Sequence, residues 1–219
     1  MPCTKFYFVH EIELDSIKAR HLNLIRTVYK INQMSNTLQI RKTLIRYNIP
    51  NHVHELTFTC NKSLPLLTSE RTCRNLAESI ESATERLDYG TLAYVFMPTH
   101  VHLLVYPKKE VYSISDFLKA VKQPVARKEI TYLKWNDPDK LELMLSGWER
   151  PKYLFWLHGG GYDRNIINPE YLVNAINYIH NNPVRKGLVR DALAWKWSSA
   201  KDWLTEEKGL ISVMKSLRG

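Results

Sequence analysis

Two histidines two residues apart, His100 and His102, and a tyrosine four residues ahead of an asparagine, Tyr178 and Asn182, are the groups in this chain best spaced to do chemistry together. The histidines sit in YVFMPTHVHLLVY, residues 94–106, where the apolar runs Tyr94–Met97 and Val101–Val105 flank the turn signal Pro98-Thr99. That composition predicts a buried β-hairpin. Strand side chains alternate between faces, so both imidazoles point the same way and can share one metal ion. A lone pair of this kind more often serves local hydrogen bonding, and a second stretch is what favours a metal. The second stretch, NYIHNNPVRKGLV at residues 177–189, places Tyr178 and Asn182 four apart in a predicted helix that Pro183 ends. Side chains four apart share a helix face, so one face carries a phenol and an amide oxygen.

A chain of 219 residues with 44% hydrophobic residues suits one domain with a proper core, plus some extra sequence. Lys plus Arg number 31 against 22 Asp plus Glu, a net charge of +9, so the expected large partner is a polyanion. Cys3, Cys60 and Cys73 are odd in number and lack CxxC spacing, which points to inert thiols rather than a disulfide framework or zinc knuckle. No run approaches the ~18 apolar residues of a membrane span, and a cytoplasmic protein without a membrane partner is expected.

The elements that must position these groups can be read in order. Residues 1–51, with Arg20, Arg26, Lys30, Arg41, Lys42 and Arg46 among Ile, Leu and Val, predict a basic, mainly helical extension. HELTFTC, residues 54–60, predicts a strand, and Asn61–Thr68 a loop. Leu76, Ile80, Ala83 and Leu87 give Ser69–Leu87 a helical stripe, which feeds into the hairpin. Ser113–Leu133 has a second stripe, Ile114, Leu118, Val121 and Val125, with Ser115 as the expected N-cap and a kink at Pro124. Lys119 and Lys122 lie off that stripe; they are either a solvated basic face or phosphate contacts, and the charge of the chain favours the latter. Asn136–Glu149 reads as a connection and Tyr153–Trp156 as a short strand. Gly159, Gly160 and Gly161 then allow positive φ or close backbone approach before Tyr162, Asp163 and Arg164. Pro169 opens the helix that carries Tyr178, with Tyr171, Leu172, Ala175, Ile176 and Ile179 on its buried side. His180 and Asn181 are read as local hydrogen-bonding residues; Trp195, Trp197 and Trp203 mark a final aromatic segment, in which Trp195 and Trp197 are read as packing residues.

The three motifs MPTHVHLLV, FWLHGGGYDRNI and YIHNNPVRKGLV, in this order between His54 and Trp203, resemble the REP-associated tyrosine transposases, members of the single-tyrosine HUH transposase family. The resemblance implies an α+β fold: a ferredoxin-like HUH domain over residues 52–205, an antiparallel sheet with helices packed on one face, the extension of residues 1–51 before it and a tail, 206–219, after it. It implies that Tyr178 cuts single-stranded DNA beside a hairpin-forming palindromic repeat, stays joined to the 5′ phosphate and releases a 3′ hydroxyl, which another 3′ end can replace without ATP. His100, His102 and Asn182 would hold a divalent ion. Mixed imidazole and oxygen ligation suits Mg²⁺ or Mn²⁺, with zinc not excluded. Lys119, Lys122, Arg164, Arg185 and Lys186 are the expected DNA contacts, and both monomers and homodimers occur in the family. The chain departs from the family at Thr99, where Asn, Asp or Glu usually precedes the first histidine; threonine can still hydrogen-bond within the turn. Tyr162 beside the glycines is a rival nucleophile. Two alternatives to the transposase or nuclease reading are a catalytically inactive or domesticated hairpin-binding protein and a metallo-phosphodiesterase that uses water.

Overall fold

The hairpin that holds the histidines forms as its composition predicts. In the computed structural model, which describes residues 46–159, 161–205 and 207–216, strand β2 (Tyr89–Phe96) turns through Pro98-Thr99 into β3 (His100–Pro107), with Met97 and His100 closing the loop through their backbones. The chain divides at Thr43/Leu44 and all described residues belong to the second unit. Most of the expected basic extension, including Arg20, Arg26, Lys30, Arg41 and Lys42, therefore lies outside the described residues. Arg46 lies in irregular chain, not in a helix, and leads into strand β1 (Val53–Thr59).

Four antiparallel strands make one sheet in the order β2-β3-β1-β4, the last being Tyr162–Ile166. The sequence predicts a strand at Tyr153–Trp156 instead. Those residues make only isolated bridges, Tyr153 to Leu145 and Trp156 to Cys60, because the aromatic side chains are drawn into the core: Trp156 packs edge-on against Phe58 and donates its indole N–H to the Lys122 carbonyl. The strand that does form, Tyr-Asp-Arg-Asn-Ile, is polar on both faces and shows no apolar alternation.

Helices α1 (Glu70–Leu87) and α2 (Ile114–Asn136) pack against each other and against one face of the sheet. Their predicted stripes are buried: Leu76, Ile80 and Ala83 from α1, and Ile114, Leu118, Val121 and Val125 from α2, against Leu56, Phe58, Tyr94, Phe96, Val101, Leu103 and Val105 of the strands. Ser69 caps α1 by accepting from Thr72 N. On α2 the cap is Ser113, which accepts from Asp116 N; Ser115 lies inside the first turn, so its hydroxyl cannot reach back to cap it. Pro124 is accommodated within α2, which continues as one element to Asn136. The expected connection after it contains a short helix, α3 (Pro138–Leu143), started by Pro138 and capped by Asp137.

The helices expected on one face are α1 and α2; helix α4 (Pro169–Arg185) lies on the other. Ala175, Ile176 and Ile179 bury there against Val53, Leu92, Ala93, Val95, Met97, Leu104 and Ile166, and a register shift between Thr91 and Ala93 lets both Leu92 and Ala93 reach that cluster. Tyr171, expected on the buried side, is exposed in the first turn of the helix, outside that stripe. Pro183 does not end α4, which runs on to Arg185. The exposed edge of β2 is covered by the segment after α4. Trp195 and Trp203 donate their indole N–H groups to the carbonyls of Phe96 and Leu92, and Ser198 bridges Val95 just before the short helix α5 (Ala200–Leu204). The tail returns to the core, with Ile211 buried and Met214 N bonded to Thr91 O.

Candidate active site

Strand register decides which residues surround the histidines. Thr57 of β1 is opposite His102 on β3 and Tyr162 on β4, and Thr59 is opposite His100. Residues directly opposite in antiparallel strands share a face. His100, His102, Thr57, Tyr162, Glu55 and Arg164 therefore all lie on the face that α4 partly covers. The two imidazoles stand edge to face with their centroids 4.9 Å apart, as the HxH spacing predicts.

Each imidazole is held by a threonine. Thr57 Oγ1 is 2.9 Å from His102 Nδ1, and Thr99 Oγ1 is 2.9 Å from His100 Nδ1. Thr99, the residue that departs from the family pattern, thus still holds the first histidine from within the turn. With both Nδ1 atoms engaged, the Nε2 atoms are the nitrogens left for a ligand. Both rings are also biased to the neutral, metal-binding form. Burial pushes His102 down to about 4, aided by the neighbouring His100, while burial and then the Lys186 charge lower His100.

Helix α4 brings Tyr178 over this pair. Its ring meets His102 edge to face at 5.8 Å, and the Arg185 guanidinium lies over the same phenol ring at 4.7 Å. Tyr178 keeps 41% of its surface exposed, although Ile179 beside it is fully buried, so the phenol is at the surface rather than in the core. One turn further on, Asn182 is buried and donates its Nδ2 to the Tyr178 carbonyl at 2.9 Å, which leaves Oδ1 as the unused end of the amide. Arg164 pairs with Glu55 at 2.6 Å on the same sheet face, with half of its own side chain exposed.

These residues fit a divalent ion by the chemistry of the donor set: two neutral imidazoles oriented through Nδ1, and an amide oxygen on the facing helix. Among the described residues there is no cluster of three His, Cys, Asp or Glu side chains able to hold a metal, so an all-histidine or carboxylate site of that kind is not offered.

The expected residues do not all gather here. His100, His102, Tyr178, Arg185 and Lys186 come together, Asn182 lies one helical turn from Tyr178, and Arg164 is on the same sheet face. Lys119 and Lys122 belong to α2, on the opposite face, where they line a separate groove. Tyr162, the rival nucleophile, is on the histidine face but two strands away from His102. Thr57 is a supporting residue that local patterns miss; its signal is its place opposite His102 in a register that only the paired strands reveal. His180 is buried, with Nε2 at 2.8 Å from Ser199 Oγ, and Ser199 is itself hydrogen-bonded to the β2 backbone at Tyr94; this pins α4 to the sheet edge. Cys60 and Cys73 are free and buried, and burial raises both to about 12, as inert thiols require.

With this geometry in view, comparison with solved structures finds a REP-associated tyrosine transposase bound to a REP hairpin. It is 19% identical, with 74% of this chain covering 84% of that one and a TM-score of 0.57. The two share a fold. That shared fold covers the sheet, the helices packed on it and the central strand that carries His100 and His102. A second similar structure is a provisionally assigned transposase from Deinococcus radiodurans R1, 18% identical, with 66% of this chain covering 97% of that one and a TM-score of 0.39. No protein-family profile matches the chain, and no curated protein matches it by sequence. Among the described residues no helix is long and apolar enough to cross a membrane.

Proposed function

We propose that the chain is a metal-dependent transposase or nuclease that cleaves and rejoins single-stranded DNA beside hairpin-forming palindromic repeats, with Tyr178 as nucleophile. The observation that carries the reading is the exposed Tyr178 ring set against His102 and beneath Arg185, on the one sheet face where two threonine-held imidazoles are free to bind a ligand. The fold shared with a transposase that binds a REP hairpin supports the choice of substrate.

A phenol has an ordinary pKa of ~10 and must lose its proton as it attacks. Arg185 over the ring stabilises the negative charge that develops on the oxygen. The Tyr178 oxygen bonds to phosphorus, the bond to the 3′ oxygen breaks, and that oxygen takes up a proton to leave a 3′ hydroxyl. The 5′ phosphate stays on Tyr178, where another 3′ hydroxyl can reverse the step. Mg²⁺ or Mn²⁺, held by His100, His102 and Asn182, would supply charge withdrawal from a non-bridging phosphate oxygen. Arg164 and Lys186 border the same face and neutralise flanking phosphates.

The test is incubation of wild type, Tyr178→Phe and Tyr162→Phe with labelled hairpin-bearing single strands and Mn²⁺, read on a denaturing protein gel. The expected result is covalent label on wild type and Tyr162→Phe and none on Tyr178→Phe. Binding without any covalent label favours a binding protein. Cleaved DNA without protein label favours water as nucleophile.

A further inference from the structure

A wide groove lies on the other side of the sheet from Tyr178. It has a volume of about 670 Å³ and runs between α2 and the segment Pro151–Gly159. Its walls are apolar and aromatic, with Leu118, Ala126, Ile130, Tyr153, Phe155 and Leu157 among them; Arg46, Lys119 and Lys122 bring positive charge to it, beside the polar Ser115, Gln123 and His158. Nothing in the chemistry proposed for Tyr178 uses these residues.

The two lysines of the groove are out of balance with the anions around them. Asp163 is the carboxylate paired with Arg46, at 3.3 Å, and it also accepts from His54 Nδ1 at 2.8 Å. Lys119 and Lys122 form no ion pair with any carboxylate among the described residues, and the Lys122 ammonium stands over the Phe58 ring, at 5.9 Å. Burial, and then the charge of Arg46, pull Lys122 down to about 8. A half-buried ammonium beside a second cation is costly unless an anion joins it. The groove therefore joins an unmet need for negative charge to a flat apolar wall, and a nucleotide meets both, through its phosphate and its base.

We infer that this groove is a second DNA-binding site, which takes two adjoining phosphates of a single strand, one at Lys119 and one at Lys122, and seats the base between them against the apolar wall. The identity of the polyanion rests on the proposed function; the site itself does not depend on Tyr178 chemistry. In this arrangement a strand engaged at the groove is held apart from the strand being cut, because the sheet lies between the two sites.

The experiment measures equilibrium binding of a fluorescein-labelled twelve-residue oligothymidylate in chelator, from 50 to 300 mM salt, to full-length Tyr178→Phe protein with the groove intact or carrying Lys119→Ala with Lys122→Met. Chelator and the Phe substitution remove the chemistry, so the absence of a covalent intermediate cannot imitate a failure here. Each phosphate contact on a single strand contributes ~0.7 to the slope of log affinity against log salt. The expected result is a slope shallower by about 1.4 and affinity at least tenfold weaker at the lowest salt. Lys119→Ala alone, an exposed change that leaves the core intact, should flatten the slope by about 0.7. A 5-iodouracil strand should photocrosslink to the peptide containing Tyr153 and His158. Unchanged slopes in both variants, or crosslinks confined to peptides of β3 and α4, overturn the proposal.

Discussion

Replacing Thr57 by Val tests how the histidine pair is prepared. Valine keeps the shape and the β-branching that suit a strand, and removes only the hydroxyl that lies 2.9 Å from His102 Nδ1. The folded protein loses one side-chain hydrogen bond at a partly buried site, a cost of ~1 kcal/mol in stability. Under the proposed function, the larger effect is expected in metal affinity. An imidazole freed at Nδ1 can rotate and exchange tautomers, and loss of such an orienting partner typically weakens binding ~10- to 100-fold. That range corresponds to ~1.4 to 2.8 kcal/mol. Calorimetric titration of Mn²⁺ into wild type, Thr57→Val and Thr57→Ser checks it: Ser restores the hydroxyl and should bind within a few-fold of wild type. Thr99→Val should weaken binding in the same direction through His100. Equal affinity for wild type and Thr57→Val, with the fold intact by circular dichroism, would refute the claim that the threonine sets which nitrogen faces the ligand.

Three further outcomes are expected. His102 and His180 both fall from an ordinary 6.5 to about 4 through burial, so the unfolded chain binds more protons than the folded one between those values. Stability in chelator is therefore full above pH 6.5 and is lost as pH falls toward 4, by up to ~3 kcal/mol for each histidine; urea unfolding at several pH values should show this, with a shallower dependence in His180→Gln. Gly161 has φ +70°, and a Cβ there would run into the Thr57 carbonyl, so Gly161→Ala should cost ~1–3 kcal/mol in thermal melts and disturb the strand that holds His102. Glu129 is buried, pairs bidentately with Arg71 and accepts from Thr72 and Asn75; Glu129→Ala removes these four hydrogen bonds and should cost ~3–5 kcal/mol in urea unfolding.

What the sequence makes legible is local in character. The hairpin, the two histidines on one face, and Tyr178 one turn before Asn182 follow from periods of two and four. The apolar stripes of α1, α2 and α4 are equally plain, because three- and four-residue spacing survives any tertiary arrangement. Strand β4 is not legible, since its inward residue Asp163 serves a buried cluster with His54 and Arg46, and its outward Arg164 pairs with Glu55. The support Thr57 gives His102 spans 45 residues, and the Ser199 anchor of His180 joins a helix to a segment beyond its end. The position of Lys119 and Lys122 also depends on which face of the sheet α2 covers, and their residue types say nothing about that.

The same two-sidedness explains how one sheet can carry both a core and an open surface. The face under α1 and α2 is filled by the buried side chains of Leu56, Phe58, Tyr94, Phe96 and Leu103, which hold the strands in register. The other face is sealed only where the narrow stripe Ala175, Ile176 and Ile179 of α4 meets β2 and β3. Beyond that stripe, toward β1 and β4, Thr57, Tyr162 and Arg164 keep part of their surface in solvent. Ile179 and Tyr178 are neighbours on the helix, so the residue that buries the helix fixes the direction of the residue that points out of it. A rigid core on one face is what allows the open part of the other to present a phenol to two imidazoles without collapsing onto them.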